Sequence, residues 1–259
     1  MPTSDLPEPL VPRPAAGRIF TSRRRVRLAD VTPSGRVRVD AIARYLQDIA
    51  RDDSADSGLP NPMAWVVRRT AIVVGSAPVF QEQVDLATWC SGVGGRWAER
   101  RTTIAGDLGG LVETATIWVH VDPDTGRPAR LGPEFAELYG DTAAGRKVDA
   151  RLAHEAEPPA TAVVRPWTWR STDFDVLAHV NNAAYAATVE EAIAAEAAPS
   201  PSIDGCRIEL EYRDPALLGS AATWAVAPTG DGFGLWVVAD DRLAFTARLD
   251  GGTAGAATA

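Results

Sequence analysis

Between residues 173 and 191 the chain gathers acids, a histidine and two asparagines in one short stretch. It reads Asp173-Phe-Asp175-Val-Leu-Ala-His179-Val-Asn181-Asn182, then Tyr185 and Glu190-Glu191. Tyr185, Val189 and Ile193 recur at helical spacing, so the polar string sits just before a helix. Asparagines there can accept hydrogen bonds from the first free N–H groups; Asn182 is read as that cap, and Asn181 as a loop support or substrate contact. The remaining N–H groups and the positive end of the helix dipole face back over Asp175 and His179. A carbonyl oxygen gaining negative charge would be stabilised there, beside a carboxylate and an imidazole. This is hydrolytic chemistry without a serine nucleophile. Asp175 is the candidate general base or nucleophile, and His179 the group that orients water or protonates a leaving group. Glu191 is placed to buttress the loop or position water. An ordinary helix cap with chance polar neighbours competes for any one residue, but not for the whole string in register.

The string Asp-x-Asp-x-x-x-His-Val-Asn-Asn-x-x-Tyr, with an acid twelve residues after the histidine (191 − 179 = 12), resembles the active-site signature of hotdog-fold thioesterases. It is similar above all to the acyl-ACP thioesterases of plants and bacteria. Val66-Val67-Arg68-Arg69 to Trp89, Arg96-Trp97, Arg100-Arg101 and Ile117-Trp118-Val119 resemble the first half of that family, and Leu210-Glu211-Tyr212-Arg213 the strand after its catalytic helix. The resemblance spans roughly residues 18–250. It implies an α+β chain with a tandem (double) hotdog, each copy a long helix wrapped by an antiparallel sheet. It also implies hydrolysis of fatty acyl-ACP or acyl-CoA thioesters to free fatty acid and thiol, without a cofactor. Asp175 matches the family's second, catalytic acid, and Asn181, Asn182, Leu177 and Tyr185 fall where substrate contacts are expected. One departure is clear: the plant pattern Asp-x-Asn-x-His has its Asn where this chain has Leu177. The family's later acid falls near Asp214, in a shortened segment. Two rival readings remain. Hotdog hydratases set Asp and His five apart, against four here (179 − 175 = 4), and a catalytically silent acyl-thioester-binding protein is kept alive by Leu177.

Composition narrows the other classes. With 259 residues the chain can hold one large domain or two small ones, and 46% hydrophobic residues suits a packed core. No apolar run approaches the roughly 18 residues that span a bilayer. The formal charge of −8 argues against nucleic-acid and anionic-membrane partners. Residues 1–17 read as a proline-rich tail rather than a signal peptide, and residues 251–259 as a second tail. Cys90 and Cys206 read as buried free thiols, in keeping with a reducing cytoplasm. No Cys or His cluster has metal-ligand spacing, and no Gly-x-Ser-x-Gly elbow or phosphate loop is present. Arg23-Arg24-Arg25 with Arg27, and Arg96 with Arg100-Arg101, could form a basic patch that docks an acidic carrier protein.

An internal repeat organises the chain. Asp30 to Arg36-Val37 is set against Asp175 to His179-Val180, at an offset of 143 (179 − 36). Farther on, Pro78…Thr88-Trp89 is set against Pro215…Thr223-Trp224, at offsets near 136. Copy one then has Asp30 but carries Arg36 and Arg38 where copy two has His179 and Asn181, which predicts one active site, in copy two, with copy one as substrate wall. The expected boundaries are an N-terminal hotdog over 18–132, a linker over 133–164 and a C-terminal hotdog over 165–250. A fused pair is a built-in dimer; acyl-chain length, ACP or CoA as carrier, and association into a homodimer are left open.

Overall fold

In the computed structural model, which describes residues 10–59, 65–196 and 202–251, each half of the chain forms one strand, one long helix and four further strands. In copy one these are β1 (Phe20–Arg25), α1 (Val39–Asp56), β2 (Trp65–Ser76), β3 (Gln83–Val93), β4 (Trp97–Gly106) and β5 (Leu111–His120). A short helix, α2 (Pro133–Ala143), follows. Copy two repeats the order with β6 (Val163–Trp167), α3 (Asn182–Glu196), β7 (Arg207–Tyr212), β8 (Ala222–Thr229), β9 (Gly232–Ala239) and β10 (Arg242–Asp250). The ten strands make one antiparallel sheet in the order β1-β3-β4-β5-β2-β7-β10-β9-β8-β6. Read inward from each edge the two halves have the same topology, and they meet where β2 pairs with β7 from Arg69↔Glu211 to Val73↔Arg207. This is a double hotdog.

Period-two patterning decides which face of the sheet is covered. Ile72 and Val74 on β2 and Ile208, Leu210 and Tyr212 on β7 alternate onto one face and join one continuous core. Onto it pack Ile42, Leu46 and Ile49 of α1 and Tyr185, Val189 and Ile193 of α3, each set at helical spacing. Alanines at 183, 186 and 192 are buried in α3, and α1 packs against α3 across the middle of the molecule. A second apolar cluster, around Cys90, Ala98, Phe135 and Tyr139, lies beneath α2. Both cysteines are buried and free.

Backbone geometry corrects the repeat. The turns Leu28–Asp30 and Ser171–Asp173 are equivalent, with Asp30 and Asp173 each accepting the N–H three residues before it, from Arg27 and Arg170. Asp30 therefore matches Asp173 (30 + 143 = 173), and the position of Asp175 is held in copy one by Thr32 (32 + 143 = 175). Thr32 N–H donates to the Arg36 carbonyl just as Asp175 N–H donates to that of His179, at 2.9 Å in both. After the second strand of each copy the offset is 138: Phe20 pairs with Thr88 and Val163 with Val226 (163 − 20 = 143; 226 − 88 = 138). Trp224 thus answers Leu86, and its alignment with Trp89 was a coincidence of residue type. The expected basic patch is reduced to Arg25, Arg27 and Arg96, which are exposed. Arg23 pairs with Asp85 and Arg24 with Asp48, while Arg100 and Arg101 turn inward. Of the two expected tails, residues 1–9 and 252–259 lie outside the described residues. Residues 10–17 are placed, with the Val11 carbonyl accepting from Arg101.

The loop before each helix turns through a left-handed residue, Gly35 (φ +89°) in copy one and Ala178 (φ +57°) in copy two. A Cβ at Gly35 would meet nothing within 4 Å, so its cost there is backbone strain alone. Gly35→Ala should destabilise the fold by about 1 kcal/mol and Ala178→Gly should stabilise it by a similar amount. Urea unfolding midpoints check this, and a midpoint lowered by Ala178→Gly would count against strain in the loop.

Candidate active site

The segment 174–180 is a minute hairpin clipped to the next loop. Phe174 bridges Val180, His179 bridges Leu217, and Asp175 Oδ1 accepts from the Leu177 and His179 N–H groups at 2.9 and 3.4 Å. One carboxylate oxygen thus shapes the turn. Neither ring nitrogen of His179 bonds to a described residue, and Asp175 and His179 both line a cavity of about 1060 Å³. Leu177 is 55% exposed at its lip, and its backbone rather than its side chain engages Asp175.

Asn181, not Asn182, caps α3: its Oδ1 accepts from the Ala183 N–H at 2.9 Å. Asn182 is the first helical residue. Its N–H has no partner among the described residues, and it lines the cavity. An N–H at a helix start that lacks a partner is available as a donor. Tyr185 is buried, and its hydroxyl accepts from the Ala216 N–H at 2.9 Å, tying the helix to the loop that carries Asp214. Its ring packs on Trp169 and Phe245, both with centroids at 5.2 Å, and burial pushes its pKa up to about 12. Tyr185 is a neutral strut that also lines the cavity.

Glu191 does not reach the site. It is exposed on α3, whereas Glu190 is buried and bound to Arg36 of copy one. Periodicity carried this difference: Glu190 falls beside Val189 on the covered side, and Glu191 turns outward. Asp214 lines the same cavity, with Oδ1 3.0 Å from Arg242. Residues that the motif did not single out come from copy one. Gln47 and Asp48 of α1 and Arg68 of β2 line the same cavity as Asp175. The Arg68 guanidinium donates to the Tyr212 carbonyl at 3.1 Å, and burial, with Arg213 nearby, lowers its pKa from the ordinary value. Leu59, Trp65, Ala98 and Phe135 supply apolar walls to the same cavity. Among the described residues no group of acids, cysteines and histidines could hold a metal ion, and no helix is long and apolar enough to cross a membrane.

Two family models cover most of the chain: the acyl-ACP thioesterase N-terminal domain matches residues 17–139, and the C-terminal domain residues 156–241. The chain belongs to the acyl-ACP thioesterase family. Members of this family are thioester hydrolases. An uncharacterised protein of Mycobacterium tuberculosis is 30% identical over 83% of this chain and 84% of its own length. The chloroplastic acyl-[acyl-carrier-protein] hydrolase FATB2 of Cuphea viscosissima is 25% identical over 84% of this chain, which spans only 58% of that plant protein. Among solved structures, the 12:0-ACP thioesterase from Umbellularia californica is similar with a TM-score of 0.72 at 21% identity, over 90% of this chain and 96% of that one. An acyl-ACP thioesterase from Bacteroides thetaiotaomicron gives 0.74 at 17% identity, over 89% and 96%. These likenesses show the double-hotdog fold.

Asp30 and Asp175 should separate stability from turnover. Burial alone would raise the Asp30 carboxyl, but the Arg27 N–H, the Tyr45 hydroxyl and Arg44 outweigh it and hold its pKa below the ordinary value. Its contribution is therefore full above the usual carboxylate range and lost as pH falls through the lowered value. Asp30→Asn should cost about 1–3 kcal/mol of stability and leave thioester turnover within about twofold. Asp175→Asn should leave the melting temperature nearly unchanged and lower turnover by roughly 10²–10⁴. Unchanged turnover in Asp175→Asn would remove Asp175 from the mechanism.

Proposed function

We propose that this chain hydrolyses the thioester of a fatty acyl chain carried on acyl carrier protein, releasing fatty acid and thiol. The observation that carries the reading is the cavity itself. It joins Asp175, His179 and Asn182 of copy two to the apolar side chains Leu59, Trp65 and Ala98 of copy one and Phe135 of α2. A polar reaction centre opening onto an apolar pocket suits an acyl thioester, and a fused pair divides the two tasks between its halves.

In this reading the thioester carbonyl oxygen takes the Asn182 N–H. Asp175 removes a proton from water as the water oxygen bonds to the carbonyl carbon, and the π pair moves onto the carbonyl oxygen. When that pair returns, the carbon–sulfur bond breaks, and His179 gives a proton from one ring nitrogen to the thiolate as its other ring nitrogen takes up the proton held by Asp175, which restores the site. Leu177 contributes nothing to this sequence through its side chain, so the work of an amide at that position falls to the helix N–H. A silent binding protein is the second reading that Leu177 supports.

Purified protein should release thiol from a panel of acyl-ACP thioesters with higher kcat/KM than from the matching acyl-CoA thioesters. Failure on every chain length with either carrier would refute the hydrolase reading and favour the silent binder. The buried Ala98 offers a second measurement. Ala98→Phe should fill the apolar end of the cavity and move the preferred substrate to a chain shorter by two or more carbons. Each displaced methylene is worth about 0.8 kcal/mol of burial. An unchanged chain-length profile would place the acyl chain elsewhere.

A further inference from the structure

A helix that starts inside a protein must have its first N–H groups answered, and the two halves of this chain answer them differently. In copy one the first N–H of α1, from Val39, donates to Glu190 Oε2 at 3.0 Å. Arg36 grips the same carboxylate at 2.6 and 3.2 Å, and both side chains are buried. Glu190 belongs to α3. The place that a carbonyl oxygen would take in copy one is thus filled by the chain's own carboxylate, neutralised by a guanidinium.

The offset that carries Val39 onto Asn182 and Arg36 onto His179 carries Gln47 onto Glu190 (39 + 143 = 182; 36 + 143 = 179; 47 + 143 = 190). The helices α1 and α3 pack against each other, so Gln47 of α1 is the repeat counterpart of the Glu190 that α3 gives to copy one. Gln47 is half-buried, lines the same cavity as Asn182, His179 and Asp175, and makes no side-chain hydrogen bond to a described residue. We propose that Gln47 is a catalytic residue of the thioester site, its Nε2 donating to the carbonyl oxygen that also takes the Asn182 N–H. This rests on the thioester-hydrolase reading above. The neutral amide is the decisive chemistry. A carboxylate at position 47 would cap the Asn182 N–H as Glu190 caps that of Val39, and would repel the charge developing on the carbonyl oxygen. An amide leaves the N–H open and adds a donor from the opposite helix.

The test uses the full chain with Gln47→Ala and Gln47→Glu, on the acyl-ACP that the wild type hydrolyses fastest. Gln47→Ala should lower kcat by roughly 10²–10³, the usual effect of losing one oxyanion donor, with KM within about threefold. Gln47→Glu should lose more at neutral pH. Its kcat relative to wild type should recover as pH falls and the new carboxyl becomes neutral, a dependence absent from Gln47→Ala and not expected of a packing role. Values of kcat within about threefold of wild type for both variants would overturn the assignment while leaving the hydrolase reading intact. Calorimetry with an acyl-pantetheine ketone, in which a methylene replaces the thioester sulfur, separates the two ideas further. An inactive wild type whose binding of this ketone is lost in Gln47→Glu would sink hydrolysis and keep Gln47 at the carbonyl. Equal binding by both proteins would overturn the role of Gln47, and a wild type that neither binds nor hydrolyses would overturn both.

Discussion

The two central helices begin in the interior, and their free N–H groups set the terms for everything around them. Asn181 answers one such group at the start of α3, and Glu190 answers one at the start of α1. Asn182, whose N–H is left open, lines the cavity. A helix start is a local site of positive potential wherever it occurs. In copy two, Asp175, His179 and Asn182 line one cavity together with apolar residues. The corresponding hairpin of copy one, with Thr32 and Arg36, has been turned into a buried ion pair that ties the copies together.

That tie is strong in a particular way. A buried guanidinium–carboxylate pair adds little net stability over well-packed apolar residues, but removing one partner leaves a costly uncompensated charge. Asp53 of α1, held by Arg18, Arg100 and the Tyr139 hydroxyl, is built on the same logic beneath the apolar end of the cavity. Such pairs fix register more than they add stability. They hold α1, α2 and the sheet in one arrangement, so that residues from both copies meet across a single space.

Much of this was legible in the sequence because periodicity and the motif report on local structure. The helix after Asn182, the alternating strands and the grouping of Asp175 with His179 all follow from spacing. What failed, failed at single positions. Asn181 and Asn182 are adjacent and equally able to cap, and only backbone geometry decides between them. Asp30 shares a residue type with Asp175 but sits two residues earlier in the turn, where it accepts the Arg27 N–H. Glu190 and Glu191 differ by one step of about 100° around the helix, which buries one and exposes the other. Gln47 was invisible because its partner half of the site lies far along the chain.

The β2–β7 ladder joins residues 69–73 to residues 207–211. Closing a loop of that length (211 − 69 = 142 residues) costs roughly 4 kcal/mol of chain entropy before any pairing rewards it. During synthesis the order of events is fixed as well. Once β2 has formed, one of its sides is an unpaired strand edge until β7 emerges, and at typical translation rates 142 residues take roughly 7 to 28 s. For that interval the N-terminal half carries an open edge and an uncovered apolar wall together. An unpaired edge of that kind is a template for pairing with other chains, and the β2–β7 ladder is what removes it.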